Sequence, residues 1–152
     1  MINSTLHAGS KYLHKLRQLN ILLVEDNLLN AKLVSILFAQ YRIKLHFAVN
    51  GLQAVDMLKA NNFDIVLMDI EMPVMNGYEA TTMIRQRLKN DVPIIALTAH
   101  ALPGESERCL HAGMDAYISK PVDPGILLKT IYNLACNTKA VQIKKPDRKS
   151  VV

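Results

Sequence analysis

Five short apolar runs alternate with segments of helical spacing, and this alternation is the feature that most constrains the fold. The apolar runs are Asn20–Val24, Ile43–Val49, Asp64–Met68, Pro93–Leu97 and Ala116–Ser119. The segments with apolar residues three or four positions apart, which predict helices, are Leu28–Gln40, Leu52–Leu58, Tyr78–Leu88, Glu105–Ala112 and Pro124–Cys136. Strands that are apolar on both faces are typical of a parallel sheet covered by helices. The pattern therefore predicts a doubly wound (βα)5 domain of the α/β class over residues 19–136.

The chain has 152 residues and a net charge of +5, and its positive charge lies in the two ends. Residues 1–18 carry three basic residues and no acidic one, and residues 137–152 carry five basic residues and one acidic residue. Residues 19–136 carry ten basic against twelve acidic residues, so the domain itself is mildly acidic and no direct DNA binding is expected. We expect an N-terminal tail or linker, in which residues 10–18 extend a short helix, and a basic, flexible C-terminal tail.

The chain shows no sign of a membrane or secretory segment. Its longest apolar runs are strand-sized, well short of the about 18 residues that a spanning helix needs. Basic residues and histidines occupy the place of the apolar centre of a signal peptide. The two cysteines, Cys109 and Cys136, form neither a disulfide framework nor a Cys/His metal pattern. A cytoplasmic location is therefore expected.

Polar side chains follow four of the five predicted strands. Glu25 and Asp26 follow the first strand, Asp69 the third, Thr98 the fourth and Lys120 the fifth. Because the carboxyl ends of parallel strands meet at one edge of the sheet, we expect these side chains to lie together. Each residue also has an ordinary role as a helix cap, a turn former or a solvated lysine. Their convergence at one edge is what favours a shared site.

The chemistry of this set suits a phosphoryl group. Three carboxylates at one edge repel each other, so a cation is expected among them, and ligands that are all oxygen favour Mg²⁺, or Mn²⁺, over zinc. The ammonium of Lys120 and the hydroxyl of Thr98 can each bind a further phosphoryl oxygen. Asp69, at the end of the central strand, is the candidate acceptor.

Four stretches of the sequence carry a resemblance to a known family. They are Ile21–Asn27, Asp64–Gly77, Pro93–Ala99 and Gly113–Pro121. In order and spacing they resemble the receiver domain of two-component response regulators, over residues 20–136. The sequence around Asn30 and over Cys109–Met114 is most similar to receivers attached to hybrid sensor histidine kinases. The resemblance implies a flavodoxin-like three-layer sandwich whose parallel five-stranded sheet has the order 2-1-3-4-5.

The resemblance also implies an acceptor and a metal site. Asp69 is the implied phosphoacceptor. The implied Mg²⁺ ligands are Glu25, Asp26, Asp69 and the backbone carbonyl of Glu71. Glu71 and His100 flank the path of an attacking water, and the lifetime of the phosphoaspartate stays open.

Five further residues have implied supporting roles. Lys120 pairs with the phosphate, Thr98 reorients toward it, and Tyr117 moves inward in step. Pro121 follows a cis peptide bond that aims Lys120 into the site. Gly77 allows the loop after the acceptor to turn tightly.

The implied function is a signalling switch that takes a phosphoryl group from a sensor histidine kinase or a histidine phosphotransfer protein. Such a switch assists its own phosphorylation and is not a turnover enzyme. A Mg²⁺-dependent phosphatase with an aspartyl nucleophile is the alternative, but those enzymes commonly carry a second Asp where this chain has Glu71, and a larger cap domain. A nucleotide or flavin binder of this fold needs a Gly-rich or Ser/Thr-rich loop in place of Glu25-Asp26-Asn27.

The output of the switch is not apparent from the sequence. The sixteen residues after Cys136 are too few for a DNA-binding output domain. We therefore expect either a single-domain receiver or a piece of a longer hybrid kinase.

Overall fold

The computed structural model describes residues 10–100 and 102–136, which build one parallel sheet with helices on both faces. The strands are β1 (Ile21–Val24), β2 (Leu45–Ala48), β3 (Ile65–Asp69), β4 (Ile94–Thr98) and β5 (Ala116–Ser119). The helices of these residues are α1 (Ser10–Arg17), α2 (Leu28–Gln40), α3 (Gly51–Ala60), α4 (Gly77–Gln86), α5 (Glu105–Ala112) and α6 (Pro124–Ala135). The strands pair in parallel in the order β2-β1-β3-β4-β5. The predicted flavodoxin-like fold is therefore confirmed.

Two apolar layers lie on opposite faces of the sheet. Leu22 and Val24 of β1 belong to the layer that contains buried residues of α3, α4 and α5. Ile21 and Leu23 of the same strand belong to the layer that contains buried residues of α1, α2 and α6. Because both faces are covered, β1, β3 and β4 are buried along their whole length, which explains their continuous apolar sequences. The ends of these three strands are consequently fixed in position.

Side-chain caps set where the helices begin after each strand. Asn27, Asn50, Asn76 and Asp123 each accept a hydrogen bond from the backbone N–H three residues later, at the start of α2, α3, α4 and α6. Asn76 also forms a capping box, because the side chain of Glu79 accepts from its backbone N–H. Two of these caps, Asn27 and Asn76, close the loops that follow β1 and β3.

The second strand is shorter than predicted. The sequence predicts Ile43–Val49, whereas β2 pairs with β1 at the edge of the sheet over Leu45–Ala48. Before the strand, Arg42 adopts a left-handed φ of 59°. After it, the N–H of Val49 donates to Oε1 of Gln53 at 2.7 Å, a contact with α3 instead of the sheet. The left-handed residue thus interrupts the extended backbone before β2, and pairing with β1 ends at Ala48.

Residues 10–17, which the sequence assigns to a tail or linker, form the helix α1 and pack against the domain. The expected short helix is confirmed, and its Leu13 and Leu16 are buried in the layer of α2 and α6. Two apolar side chains one turn apart are enough to give a short helix one buried face. Residues 1–9 and the predicted C-terminal tail 137–152 lie outside the described residues.

Polar and aromatic contacts add to the attachment of α1. The ring centroids of Tyr12 and Tyr132, the latter on α6, are 4.8 Å apart. Nε of Arg17 donates to the backbone carbonyl of Tyr41, just past α2, at 2.8 Å.

In the part of the chain that the structure covers, no helix has the length and apolar character needed to cross a membrane.

Replacing Leu16 with Ala is expected to lower the free energy of unfolding by about 2–5 kcal/mol, because its fully buried side chain leaves a cavity beneath α1. Lys11→Ala, at an exposed position of the same helix, is the matched control and should change the free energy of unfolding by less than about 0.5 kcal/mol. Denaturant unfolding followed by circular dichroism measures both. Equal stability of Leu16→Ala and wild type would contradict the packing of α1 against the domain.

Candidate metal and phosphoryl site

Three carboxylates lie together at the carboxyl ends of β1 and β3. Glu25 and Asp26 follow β1 directly, and Asp69 is the last residue of β3. The two strands are paired neighbours, so these residues reach the same edge of the sheet. One carboxylate oxygen from each residue lies within 4.8 Å of the others. Glu25 and Asp69 are each only 4% exposed, while Asp26 is exposed to solvent.

The ammonium group of Lys120 bridges the two buried carboxylates. Its Nζ lies 3.0 Å from Oε2 of Glu25 and 3.4 Å from Oδ1 of Asp69. The backbone N–H of Lys120 donates to the carbonyl of Thr98 at 2.7 Å, and the peptide bond to Pro121 is cis, as the resemblance implied. Burial acts against the ammonium, but the two carboxylates together raise the pKa of Lys120 above its ordinary value. Lys120 is therefore held in its charged form.

The three carboxylates of Glu25, Asp26 and Asp69, called the acid cluster below, are short of positive charge despite this lysine. Burial, and then the negative charge of Glu25, raise the pKa of Asp69 from its ordinary 3.8 to about 6. Lys120 and the backbone N–H of Glu71, which lies 3.2 Å from Oδ1 of Asp69, act in the opposite direction but do not compensate. A divalent cation would supply the missing charge, and carboxylate oxygens are the donors that Mg²⁺ prefers. The residues present therefore fit the implied metal.

Gly77 holds the loop after Asp69 against the end of β3. Its N–H donates to the carbonyl of Ile70 at 2.9 Å. A Cβ at this position would lie 2.5 Å from the carbonyl oxygen of Asp69, so a larger residue would push the loop away. The left-handed conformation in this loop belongs to Val74, with φ of 71°. Gly77 is thus needed for close approach of two backbones.

The hydroxyl of Thr98 is engaged within its own loop. Thr98 is 2% exposed at the end of β4, and its Oγ1 donates to the carbonyl of His100 at 2.9 Å and accepts from the N–H of His100 at 3.1 Å. Nε2 of His100 in turn lies 3.7 Å from Oε1 of Glu71. These two exposed side chains thus approach each other across the loops that follow β4 and β3.

Tyr117 lies apart from these groups. It is 42% exposed on β5, where it pairs in register with Ala96 of β4. The structure therefore brings four predicted residues into one cluster and places Thr98 at the end of the neighbouring strand. The four are Glu25, Asp26, Asp69 and Lys120.

Sequence reasoning does not identify an exposed apolar face on α2. Leu29, Leu33 and Ile36 are 67%, 58% and 50% exposed, and their spacing places them on one side of the helix. The fully buried Phe38 lies on the opposite side. A signal is present in the sequence, because α2 carries apolar residues on all sides, more than one buried face requires. These three residues are called the α2 face below.

A family model for the response regulator receiver domain matches residues 21–132. The chain belongs to this family. The receiver is 39% identical over 124 residues to hybrid signal transduction histidine kinase I of Dictyostelium discoideum, a match that covers 76% of this chain and 7% of that protein. Sensor histidine kinase RcsC of Escherichia coli K12 is 40% identical over 111 residues, or 73% of this chain and 12% of that protein. The receiver thus spans a small part of the length of these kinases.

Solved structures of receivers agree with this membership. The receiver domain of sensor histidine kinase PA1611 from Pseudomonas aeruginosa PAO1, with a magnesium ion coordinated in its active-site cleft, matches with a TM-score of 0.70 and 39% identity. That match covers 77% of this chain and 97% of that chain. A chain in the co-crystal structure of the Saccharomyces cerevisiae phosphotransfer protein Ypd1 and the receiver domain of Ssk1 matches with a TM-score of 0.75 and 30% identity, covering 81% and 92%. The sequence-based assignment to receivers like those of hybrid histidine kinases is confirmed.

In metal-free buffer at pH 7, Asp69→Asn is expected to raise the free energy of unfolding by about 1–3 kcal/mol, because it removes a charge that folding disfavours. A carboxyl whose pKa rises from 3.8 to about 6 on folding destabilises the protein above pH 6. Wild type regains that stability as the pH falls from about 6 to about 4, so the difference between the proteins should shrink over this range.

Denaturant unfolding at several pH values, with a chelator present, measures this difference. Asp56→Asn, at a solvent-exposed carboxylate beside Lys59, is the matched control and should give no gain. A gain for Asp69→Asn that does not depend on pH would contradict the charge deficit.

Proposed function

We propose that this receiver takes a phosphoryl group onto Asp69 in a Mg²⁺-dependent reaction and then changes conformation, as one step of a two-component phosphorelay. The donor is the phosphohistidine of a sensor histidine kinase or of a histidine phosphotransfer protein. The observation that carries the proposal is the buried Asp69 carboxylate beside the ammonium of Lys120 and two further carboxylates. The domain assists its own phosphorylation and dephosphorylation but has no separate substrate. A cytoplasmic location agrees with its free thiols, Cys109 and Cys136.

Asp69 is suited to attack a phosphorus atom. One of its carboxylate oxygens forms the bond to phosphorus as the bond to the histidine nitrogen breaks, which leaves an acyl phosphate. Lys120, already 3.4 Å from Oδ1 of Asp69, binds a phosphoryl oxygen and stabilises its negative charge. Mg²⁺ held by Glu25, Asp26, Asp69 and the backbone carbonyl of Glu71 would supply further positive charge to the phosphoryl oxygens.

Acetyl phosphate with Mg²⁺ is expected to add one phosphoryl group to wild type and none to Asp69→Asn, because an amide does not form an acyl phosphate. Intact-mass spectrometry measures the added group, which should be lost on treatment with base. Asp56→Asn, which removes an exposed carboxylate on α3, serves as the control and should be labelled like wild type. The same added mass on Asp69→Asn would overturn the acceptor assignment.

The same labelling assay tests the metal ligand. Asp26→Ala should abolish Mg²⁺-dependent labelling and keep its fold, since Asp26 is exposed. Labelling of Asp26→Ala at the native rate would contradict its role as a ligand.

A phosphate-release assay tests the phosphatase alternative. Repeated turnover of generic phosphomonoesters by wild type would favour the phosphatase.

A phosphoryl group on Asp69 gives Thr98 a new hydrogen-bond acceptor. The group adds negative charge and acceptor oxygens at the end of β3, next to β4. For its hydroxyl to reach this group, Thr98 must give up its bond to the carbonyl of His100. The volume that it leaves is then available to Tyr117, now largely at the surface of β5. The proposed switch face consists of β4, α5 and β5.

Thr98→Ala should still accept the phosphoryl group. The conformational change should reach Tyr117 only weakly, because the hydroxyl that responds to the phosphoryl group is missing. Amide NMR shifts on addition of Mg²⁺ and beryllofluoride measure this transmission. Thr130→Ala removes a hydroxyl that bonds within α6 and is the matched control. Equal shifts around Tyr117 in wild type and Thr98→Ala would contradict the coupling.

The α2 face is suited to dock the phosphoryl donor. It is an apolar surface that is exposed to solvent, a feature that marks protein interaction sites. Helix α2 starts at Leu28, two residues after Asp26, so a protein bound to its N-terminal turns lies beside the acid cluster. The similar receiver domain of yeast Ssk1 was crystallised with the histidine phosphotransfer protein Ypd1, a partner of the proposed class.

Leu33→Lys is expected to slow phosphotransfer from a phosphorylated histidine phosphotransfer protein by about tenfold, because it places a charge at the centre of the α2 face. Labelling by acetyl phosphate should not change, since a small donor needs no docking surface. Leu110→Lys, at an exposed leucine of α5, is the matched control. Equal slowing by the two variants, or loss of acetyl phosphate labelling in Leu33→Lys, would contradict docking on α2.

A further inference from the structure

A hydrogen bond connects the helices that follow the two loops beside the acid cluster. The hydroxyl of Tyr78, in the first turn of α4, donates to Oε1 of Glu105, the first residue of α5, at 2.6 Å. The guanidinium of Arg108, one turn further along α5, lies 4.3 Å from the centre of the Tyr78 ring. These three side chains are called the α4–α5 latch.

The α4 side of the latch is fixed to the strand that carries Asp69. Gly77 lies against the backbone of Asp69 so closely that a Cβ has no room. The capping box of Asn76 holds the first turn of α4. The ring of Tyr78 packs against the apolar layer that contains α3, α4 and α5. Tyr78 therefore moves little unless β3 itself moves.

The α5 side of the latch has weaker anchoring. Helix α5 begins after Gly104, which has a left-handed φ of 85° and makes no side-chain cap. Among the residues of α5, Cys109 is the one that is buried. A cleft of about 490 Å³, whose lining includes Glu71, Pro73 and Arg108, lies beside the latch and leaves space next to the helix. The start of α5 can therefore shift at small expense of packing.

We propose that the latch holds the loop between β4 and α5 in its resting arrangement and so opposes loading of Asp69. When Thr98 gives up its hydrogen bond to the carbonyl of His100 to reach a phosphoryl group, Thr98 and His100 shift toward the acid cluster. Glu105, the first residue of the helix that follows β4, is drawn in the same direction and away from Tyr78, which stays in place. Tyr78 is thus a positioning residue that sets how readily the loaded state forms. This inference rests on the proposed function of Asp69.

Breaking the latch should favour the loaded state, because fewer contacts of the resting state are then lost when the loaded state forms. Tyr78→Phe keeps the ring and its contact with Arg108 but removes the hydroxyl. We expect its apparent affinity for beryllofluoride with Mg²⁺, measured by amide NMR titration, to increase roughly three- to tenfold, the ratio that one hydrogen bond of ordinary net strength gives. Labelling by acetyl phosphate should accelerate in parallel.

Variants of Glu105 separate the hydrogen bond from a general effect on packing. Glu105→Ala breaks the bond from a half-buried position and should give the same increase in affinity. Glu105→Gln keeps an oxygen that accepts from Tyr78 and should restore the wild-type affinity. The double variant Tyr78→Phe/Glu105→Ala should bind no more tightly than Tyr78→Phe alone, because the bond that Glu105→Ala removes is already absent there. Tyr12→Phe, the same chemical change on α1, should have no effect.

The outcomes distinguish the latch from the function on which it rests. Affinity of Tyr78→Phe and Glu105→Ala equal to or weaker than that of a wild type that loads normally overturns the latch. An unchanged Glu105→Ala overturns it even where Tyr78→Phe proves unstable in thermal unfolding. Failure of wild type to bind beryllofluoride overturns the proposed function, and the latch with it.

Discussion

The burial of negative charge at one edge of the sheet is the constraint on which the rest of the site depends. The parallel strands β1 and β3 end side by side, so Glu25 and Asp69 are buried together at 4% exposure each. Water screens such charges weakly, and Lys120 compensates for only part of the repulsion. Burial, and then the negative charge of Glu25, raise the pKa of Asp69 to about 6. Groups that bring positive charge or remove negative charge at this edge therefore stabilise the fold.

The fold keeps this unfavourable arrangement in place. Strands β1, β3 and β4 are buried along their full length between two apolar layers, so their carboxyl ends do not separate to relieve the repulsion. The adaptable parts are the loops and helices that follow the strands, as is common for sites built on a rigid sheet. The loop after β3 is tied down at Gly77, whereas Thr98 is held in the loop after β4 by hydrogen bonds that can be exchanged. The acid cluster and the proposed switch face are thus adjacent, but the first is held in place whereas the second contains hydrogen bonds that can be exchanged.

Sequence alone predicts the sheet and the acid cluster because both follow from local patterns. Apolar strands of four or five residues mark the sheet, and the polar residues at their ends converge once the strands are parallel. Contacts between distant segments leave no such pattern. Tyr78 and Glu105 are 27 positions apart, and neither has a neighbouring signal that indicates the hydrogen bond between them. The packing of α1 is also missed, because its short sequence shows two leucines one turn apart but not the surface that buries them.

The apolar character of α2 illustrates a different limit. Its sequence predicts a helix correctly, but apolar residues on all sides do not tell which face is buried. The sheet decides this, by covering Phe38 and leaving Leu33 at the surface. Side chains whose environment depends on the arrangement of neighbouring elements are therefore assigned from the structure. The position of the polar residues at the ends of the buried strands, in contrast, is predicted from the strand pattern alone.

A crystal structure of the receiver with Mg²⁺ and beryllofluoride tests the charge-deficient acid cluster most directly. We expect beryllium bonded to a carboxylate oxygen of Asp69, the metal in contact with Asp26 and Asp69, and Nζ of Lys120 drawn from Glu25 to a fluorine. Beryllofluoride bound away from Asp69, or Lys120 still bridging Glu25 and Asp69 with no metal among the three carboxylates, would contradict the account.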